Sequence, residues 1–340
     1  MIFVTGGTGF IGSYLLYYLT FSTEKIVAIR RASSSMEQVK NVFRFLDELG
    51  EGNQQQKLEN IEWRQADILD AAELEEAMQG AEQVYHVAAL VSFNRRRKDA
   101  IIETNVNGTA NVVDAAMANN VKKLGYVSSI GALYKRPGQM LDEESHIENF
   151  IFPSRYSESK YFGEMEAWRG AAEGLPCAIV NPGVVLAPGD FSHGPPKLFS
   201  SVANGLKFYT PGATGFVDAR DVARALIGLM NSEIKNERYV LVSENWKFLD
   251  LFNSIAECLN VPAPRIKANR LMSELVWRAE SIRSLLTGSE PFITRELAQA
   301  AQLSYFFKNE KIKNALNFDF IPLKKTIEDT CRIYLNEQEL

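Results

Sequence analysis

The stretch VTGGTGFIGS, Val4 to Ser13, decides how the rest of the chain is read. It follows the short apolar run IFV and leads into a helix from about Ile11, so Gly6, Gly9 and Gly12 fall at a strand-to-helix turn in the spacing GxxGxxG. Glycines there let the backbone bend sharply, come close to a pyrophosphate and pack the new helix on the strand, with the helix N-terminus facing the anion. The same spacing also serves a plain tight turn, so the choice falls to the residues downstream.

Those residues repeat one pattern. KIVAIR, IEWRQAD, QVYHVAA, LGYVSS and CAIVNPG are strand-like runs, separated by helical stretches around Val39 to Leu49, Ala71 to Met78, Ile101 to Asn119 and Tyr156 to Ala172. Strand and helix in alternation predict an α/β fold, a Rossmann-type doubly wound parallel sheet whose motif-bearing strand ends share one edge. After Pro182 the texture changes to glycine- and proline-rich loops, then ERYVLVSE and a helix-rich tail from about Leu249. This predicts a cofactor domain over 1–182, joined by part of 215–245, and a smaller, discontinuous α+β C-terminal substrate domain over 183–340. Within the tail, Leu271, Leu275, Ile282, Leu285 and Leu286 have the spacing of a core-facing helix, with a lid or a membrane-touching face as alternatives.

Composition narrows the partners. In 340 residues, 46% hydrophobic and 23% charged is ordinary globular usage, and the length allows about two domains. A net charge of −5, with no basic run beyond Arg95, Arg96, Arg97 and Lys98, argues against nucleic acid. Cys177, Cys258 and Cys331 show no metal-type spacing, so buried thiols in a reducing compartment are expected and no metal site is. The N-terminal residues lack a signal-peptide pattern and no run is apolar enough to span a bilayer, which points to the cytoplasm without stable membrane insertion.

At the nucleotide end, the second strand finishes at Arg30, eighteen positions after Gly12, where a dinucleotide fold usually carries an acid for the adenosine ribose. Arg30 and Arg31 would fork onto a 2′-phosphate that a carboxylate would repel, so NADP is favoured over NAD, which remains possible. Asp67 ends the third strand, beside Ile68, and is placed to accept from the adenine amino group. The capping role there falls to Asp70, which makes a DxxE box with Glu73.

At the chemical end, YSESK sets Tyr156 and Lys160 one helical turn apart, on one face. A nearby ammonium favours phenolate and so tunes a phenol for proton transfer near neutral pH. Ser128 and Ser129 close the preceding strand at the sheet edge, where one hydroxyl could hold a carbonyl oxygen.

Together these residues resemble the extended short-chain dehydrogenase/reductases, members of the NAD-dependent epimerase/dehydratase superfamily. The resemblance runs over residues 1 to about 225 through TGGTGFIG, ADILD, YHVAA, NVNGTANVVDAA, VSS and YSESK. It implies Ser129 rather than Ser128 as the catalytic serine, Tyr156 as proton donor or acceptor, and Lys160 on the nicotinamide ribose. Asn105 would help order a proton-relay water. The cofactor would rest on Gly6, Thr8, Gly9, Phe10, Ile11, Gly12, Arg30, Arg31, Asp67, Ile68, Ala88, Tyr156, Lys160 and Pro182.

The fold leaves the reaction open. NPGVVLAPGD (Asn181 to Asp190) and GFVDARDVARALI (Gly215 to Ile227) are similar in style to dihydroflavonol reductases and hydroxysteroid dehydrogenases. The expectation is a cytoplasmic NADP(H)-dependent oxidoreductase acting on a small aldehyde or ketone, reversibly on the alcohol. The alternatives are an NDP-sugar epimerase with bound NAD and a non-catalytic NADP sensor. The resemblance also implies a homodimer through the helices from about Asn105 and Tyr156, where Phe162, Met165 and Trp168 offer apolar surface.

Overall fold

The structure, a computed structural model, describes residues 1–22, 24–92, 97–133, 139–145, 152–287 and 294–339. Arg95 and Arg96 of the basic run lie outside the described residues.

Five strands carry the first part of the chain: β1 (Ile2–Thr5), β2 (Ile26–Arg30), β3 (Glu62–Gln65), β4 (Gln83–His86) and β5 (Lys123–Val127). Between them run helices α1 (Phe10–Leu19), α2 (Glu37–Glu48), α3 (Ala71–Ala77), α4 (Lys98–Ile102) and α5 (Gly108–Ala118). There follow β6 (Met140–Leu141), α6 (Arg155–Ala172), β7 (Cys177–Pro182), β8 (Val184–Leu186), α7 (Lys197–Ala203), β9 (Phe208–Tyr209), β10 (Ala213–Asp218), α8 (Ala219–Met230), β11 (Glu237–Leu241) and β12 (Glu244–Lys247). The tail adds α9 (Phe248–Cys258), β13 (Ile266–Lys267), α10 (Arg270–Thr287), α11 (Arg295–Ala300), β14 (Phe306–Phe307), α12 (Glu310–Leu316) and α13 (Leu323–Gln338).

The main sheet has seven strands in the order β11-β7-β5-β4-β1-β2-β3, every pair parallel. Alternation along β1 shows why it is covered on both sides. Ile2 and Val4 point into a core built with α1, α2 and α8, whereas Phe3 points into the opposite core with α3, α5 and α6. Complete burial of a side chain such as Phe3 is worth about 1.5–3 kcal/mol, so a two-faced strand is anchored twice over. The chain order reverses between β1 and β4, and the crevice at that reversal is where an α/β sheet binds its ligand.

A third apolar cluster gathers Leu186, Phe199, Val202, Phe216, Leu251, Ile255, Leu323 and Ile327 around the three-stranded sheet β12-β10-β8. β11, from the 215–245 region, returns to pair with β7 in the main sheet. Among the described residues no helix is long and apolar enough to cross a membrane.

Two local expectations change. The helical stretch from Ile101 to Asn119 is not one regular helix, because a π turn over Glu103–Asn107 joins α4 to α5. The tail helix forms, as α10, but Leu271 is 75% and Leu275 68% exposed instead of facing a core. α10 packs along the short helix α11. The side chains of Ile282, Leu285 and Leu286 lie outside the described residues.

Candidate active site

The glycine turn is tight for reasons that can be measured. Gly6 has φ +72°, and a Cβ there would lie 2.4 Å from the Ala88 amide nitrogen, so β1 and the end of β4 touch through backbone. A Cβ on Gly12 would lie 2.0 Å from the Gly6 carbonyl oxygen. The Gly9 amide donates to that same carbonyl at 2.9 Å. No side chain caps α1 at Gly9, and Thr8 to Ile11 are half-buried or exposed, which leaves the first-turn amides open to an anion. The cradle thus fits a dinucleotide pyrophosphate. Gly12→Ala should cost about 1–3 kcal/mol through overpacking and should abolish nucleotide binding, as thermal melting with and without NADPH would show.

Arg30 and Arg31 are exposed at the end of β2, and neither guanidinium has a partner among the described residues. Asp67 is half-buried and accepts the Leu69 amide on Oδ1 at 3.0 Å, while Oδ2 has no partner among the described residues. Asp70 caps α3 by accepting from Ala72 and Glu73 amides, but its own amide goes to the Asp67 carbonyl rather than to Glu73, so the box is half-formed. Ile68 is fixed by Asn111, whose Nδ2 donates to its carbonyl at 2.9 Å, and by Gly108, which has no Cβ to meet its side chain. Ala88 is half-buried beside the turn, and Pro182 is buried at the end of β7.

Ser128 and Ser129 part company at the end of β5. Ser128 turns inward and donates to the buried Glu164 carboxylate at 2.6 Å. Ser129 is half-buried and accepts the Gly131 amide on Oγ at 2.9 Å. A Cβ on Gly131 would meet Ser129 Oγ at 3.2 Å and Tyr156 Cε1 at 3.6 Å, which shows how closely the two side chains flank that glycine.

Tyr156 sits in the first turn of α6, whose N-cap is Ser154 accepting from the Ser157 amide at 3.0 Å. Burial raises the phenol above its ordinary value, and the Ser129 hydroxyl opposes that rise. The Lys160 ammonium donates to the Val127 carbonyl at 2.8 Å and lies over the Tyr126 ring. Burial pulls Lys160 itself down to about 8, with Glu164 pushing the other way.

Asn105 is buried inside the π turn. Its Oδ1 accepts the Leu90 amide at 2.7 Å, and its Nδ2 donates to the Leu90 carbonyl and to Ser159 Oγ, both at 2.9 Å. It therefore ties the segment after β4 to the helix bearing Tyr156 and Lys160. His86 is sealed between Thr5 Oγ1 and Thr109 Oγ1, and burial with the Lys160 charge holds it down at about 3, a neutral packing residue.

Residues 2–241, more than half the chain, match the family model described as NAD dependent epimerase/dehydratase family. The chain belongs to that family. A curated relative, the putative dihydroflavonol 4-reductase of Synechocystis, is 26% identical over 98% of this chain and 94% of its own length. The crystal structure of gox2253 is 26% identical and superposes with a TM-score of 0.81, covering 100% of this chain and 99% of that one. A UDP-glucose 4-epimerase from Thermotoga maritima superposes at 0.77 with 20% identity over 99% of both chains, a likeness of fold. Family membership makes this a chain of NAD(P)-type reductases, epimerases and dehydratases, and its glycine turn and Ser-Tyr-Lys set occupy one sheet edge, from β1 through β4 and β5.

Three residues of the site are absent from the sequence-derived set: Glu164, Asn181 and Arg238. Glu164 had a signal, since it lies one turn beyond Lys160 in YSESKYFGE. Arg238 had none, because it comes from the returning strand β11.

Proposed function

We propose that this protein is an NADP(H)-dependent reductase of an aldehyde or ketone, reversibly oxidising the corresponding secondary or primary alcohol. The observation that carries the reading is the convergence of the Ser129 and Tyr156 side chains, which flank Gly131 at the sheet edge, with Lys160 one turn along the same helix. When bound, NADPH supplies a hydride from C4 of its nicotinamide to the carbonyl carbon. Ser129 Oγ holds the carbonyl oxygen, and Tyr156 Oη gives it the proton. The positive end of α6, on which Tyr156 sits, favours the phenolate left behind. Lys160 binds the nicotinamide ribose and stabilises that phenolate once its ammonium leaves Val127. Asn105 orders the path that returns the proton.

Gly6, Thr8, Gly9, Phe10, Ile11 and Gly12 would hold the pyrophosphate, Asp67 and Ile68 the adenine, and Ala88 and Pro182 the nicotinamide side. Arg30 and Arg31 would take the 2′-phosphate. An Arg30→Ala, Arg31→Ala double variant should weaken NADPH roughly 10- to 100-fold, the worth of charge-assisted hydrogen bonds, and leave NADH unchanged. Fluorescence titration with both cofactors checks this, and equal losses for the two would remove the NADP assignment.

In this reading 1–182 with the returning β11 carries the cofactor, and 183–340 otherwise shapes the substrate site of a cytoplasmic enzyme. The style of NPGVVLAPGD and the reductase name of the Synechocystis relative support a carbonyl substrate over a nucleotide sugar. A homodimer through α5 and α6 is part of the same reading; the open groove of about 590 Å³ between the α4–α5 segment and α6 is lined mostly by charged and polar residues, Asp99, Glu103, Asn107, Arg155 and Glu158, around Ile102, Val106 and Phe162. Sedimentation should give twice the chain mass.

A further inference from the structure

Four hydrogen bonds converge on one buried carboxylate that the reaction above does not use. Glu164 is 1% exposed. Its Oε2 accepts from Ser128 Oγ at 2.6 Å and Asn181 Nδ2 at 2.7 Å; its Oε1 accepts from Arg238 at 2.9 Å and Trp168 Nε1 at 3.3 Å. Asn181 Nδ2 also donates to the Ser129 carbonyl at 3.1 Å, and Arg238 goes on to the Glu143 carbonyl through Nε at 2.8 Å. The ends of β5 and β7, together with β11, are thus fastened to α6 at a single point. That point lies one turn beyond Lys160.

We infer that Glu164 is a positioning residue for the Ser129–Tyr156–Lys160 set: its carboxylate locks the strand ending in Ser129 against the helix bearing Tyr156 and Lys160, and supplies the negative charge nearest that lysine. The inference rests on the reductase reading for its catalytic meaning. Burying an ammonium disfavours its charged form, and an opposite charge nearby restores it. The groups facing Lys160 are few. The Val127 carbonyl and Tyr126 ring face it from β5, neutral His86 from β4, and Glu164 from α6; Arg238 on β11 stands behind Glu164. Among the described residues Glu164 is the anion that acts on Lys160, and it is shared with a cation of opposite effect on the lysine. Arg238 therefore sets how much of that charge reaches Lys160.

The pair predicts shifts of opposite sign. In protein carrying [6-¹³C]lysine, with Lys160→Met to assign the resonance, the Cε signal gives the Lys160 titration midpoint without any cofactor. Glu164→Gln keeps the shape and most hydrogen bonds but removes the charge, so the midpoint should fall by about one unit or more. Arg238→Gln leaves the carboxylate less neutralised and should raise it. In the loaded enzyme, the alkaline limb of kcat should move in the same two directions with little change in the KM for NADPH, and Glu164→Asp should bring the limb back toward wild type. Midpoints that match wild type in both variants, alongside lowered melting temperatures, would reduce Glu164 to a structural tie and overturn the inference. If Glu164→Gln fails to fold, Arg238→Gln alone decides by the sign of its shift. A wild-type chain that binds NADPH but turns over no carbonyl would sink the reductase reading and leave the lysine titration as the test of this one.

Discussion

Replacing Tyr156 by Phe should lower kcat for carbonyl reduction by roughly 10²- to 10⁴-fold, the range in which a positioned general acid contributes. The ring would stay packed against Gly131 at the end of β5, and the glycine cradle lies on other elements, so NADPH should bind about as well as to wild type. Only the phenolic hydroxyl is lost. Steady-state rates with NADPH, together with direct cofactor titration, separate the two effects. A Tyr156→Phe protein that binds NADPH and works at the wild-type rate would remove the tyrosine from the chemistry and, with it, the assigned role of the α6 N-terminus.

The largest effect on stability is expected at Arg220, far from the chemistry. This side chain is 3% exposed and carries three carboxylates. It forks onto Asp218 with Nε at 3.0 Å and a terminal nitrogen at 2.7 Å, and reaches Glu51 and Asp329 at 3.0 Å each. Asp218 also caps α8 through the Arg220 amide at 2.8 Å and accepts from Thr326 on α13. One guanidinium therefore joins the segment after α2, the β10–α8 turn and α13. Arg220→Met would leave Asp218 buried without its cation, while Asp329 keeps Lys325 at 2.8 Å, and breaking a buried pair in this way typically costs about 3–5 kcal/mol. Urea or thermal unfolding should show a loss of that order. Arg220→Lys, which keeps the charge but not the planar fork, should fall between. A midpoint unchanged in the methionine variant would mean that water reaches these carboxylates and the joint is not a buried one.

The parts of the fold written in short-range patterns were legible. The short apolar run IFV and the glycine turn announce β1 and α1 from the sequence, and steady alternation of strand and helix yields a parallel sheet. The site was legible where chemistry and local position coincide, as for Tyr156 and Lys160 on one helix face. What stayed hidden depended on distant chain. Ser128 and Ser129 are adjacent and of one type. The physical difference between them is the Glu164 carboxylate, contributed by α6 and held by an arginine from β11, which no local pattern announces. The π turn around Asn105 was hidden for a related reason, since it is sustained by Leu90 and Ser159, not by helical period. The apolar residues of α10 misled because periodicity records amphipathicity but not what lies opposite it, and Leu271 and Leu275 face outward.

The central claim, net hydride transfer from NADPH to a carbonyl, is tested most directly with cofactor deuterated at C4 of the nicotinamide. Incubated with a panel of aldehydes and ketones, the protein should oxidise the cofactor mole for mole with alcohol formed, and mass spectrometry should find one deuterium on the new carbinol carbon. Retention of reduced or oxidised cofactor with no net turnover of any carbonyl, while a nucleotide sugar is inverted at one carbon, would contradict the account and move the protein to the epimerase side of its family.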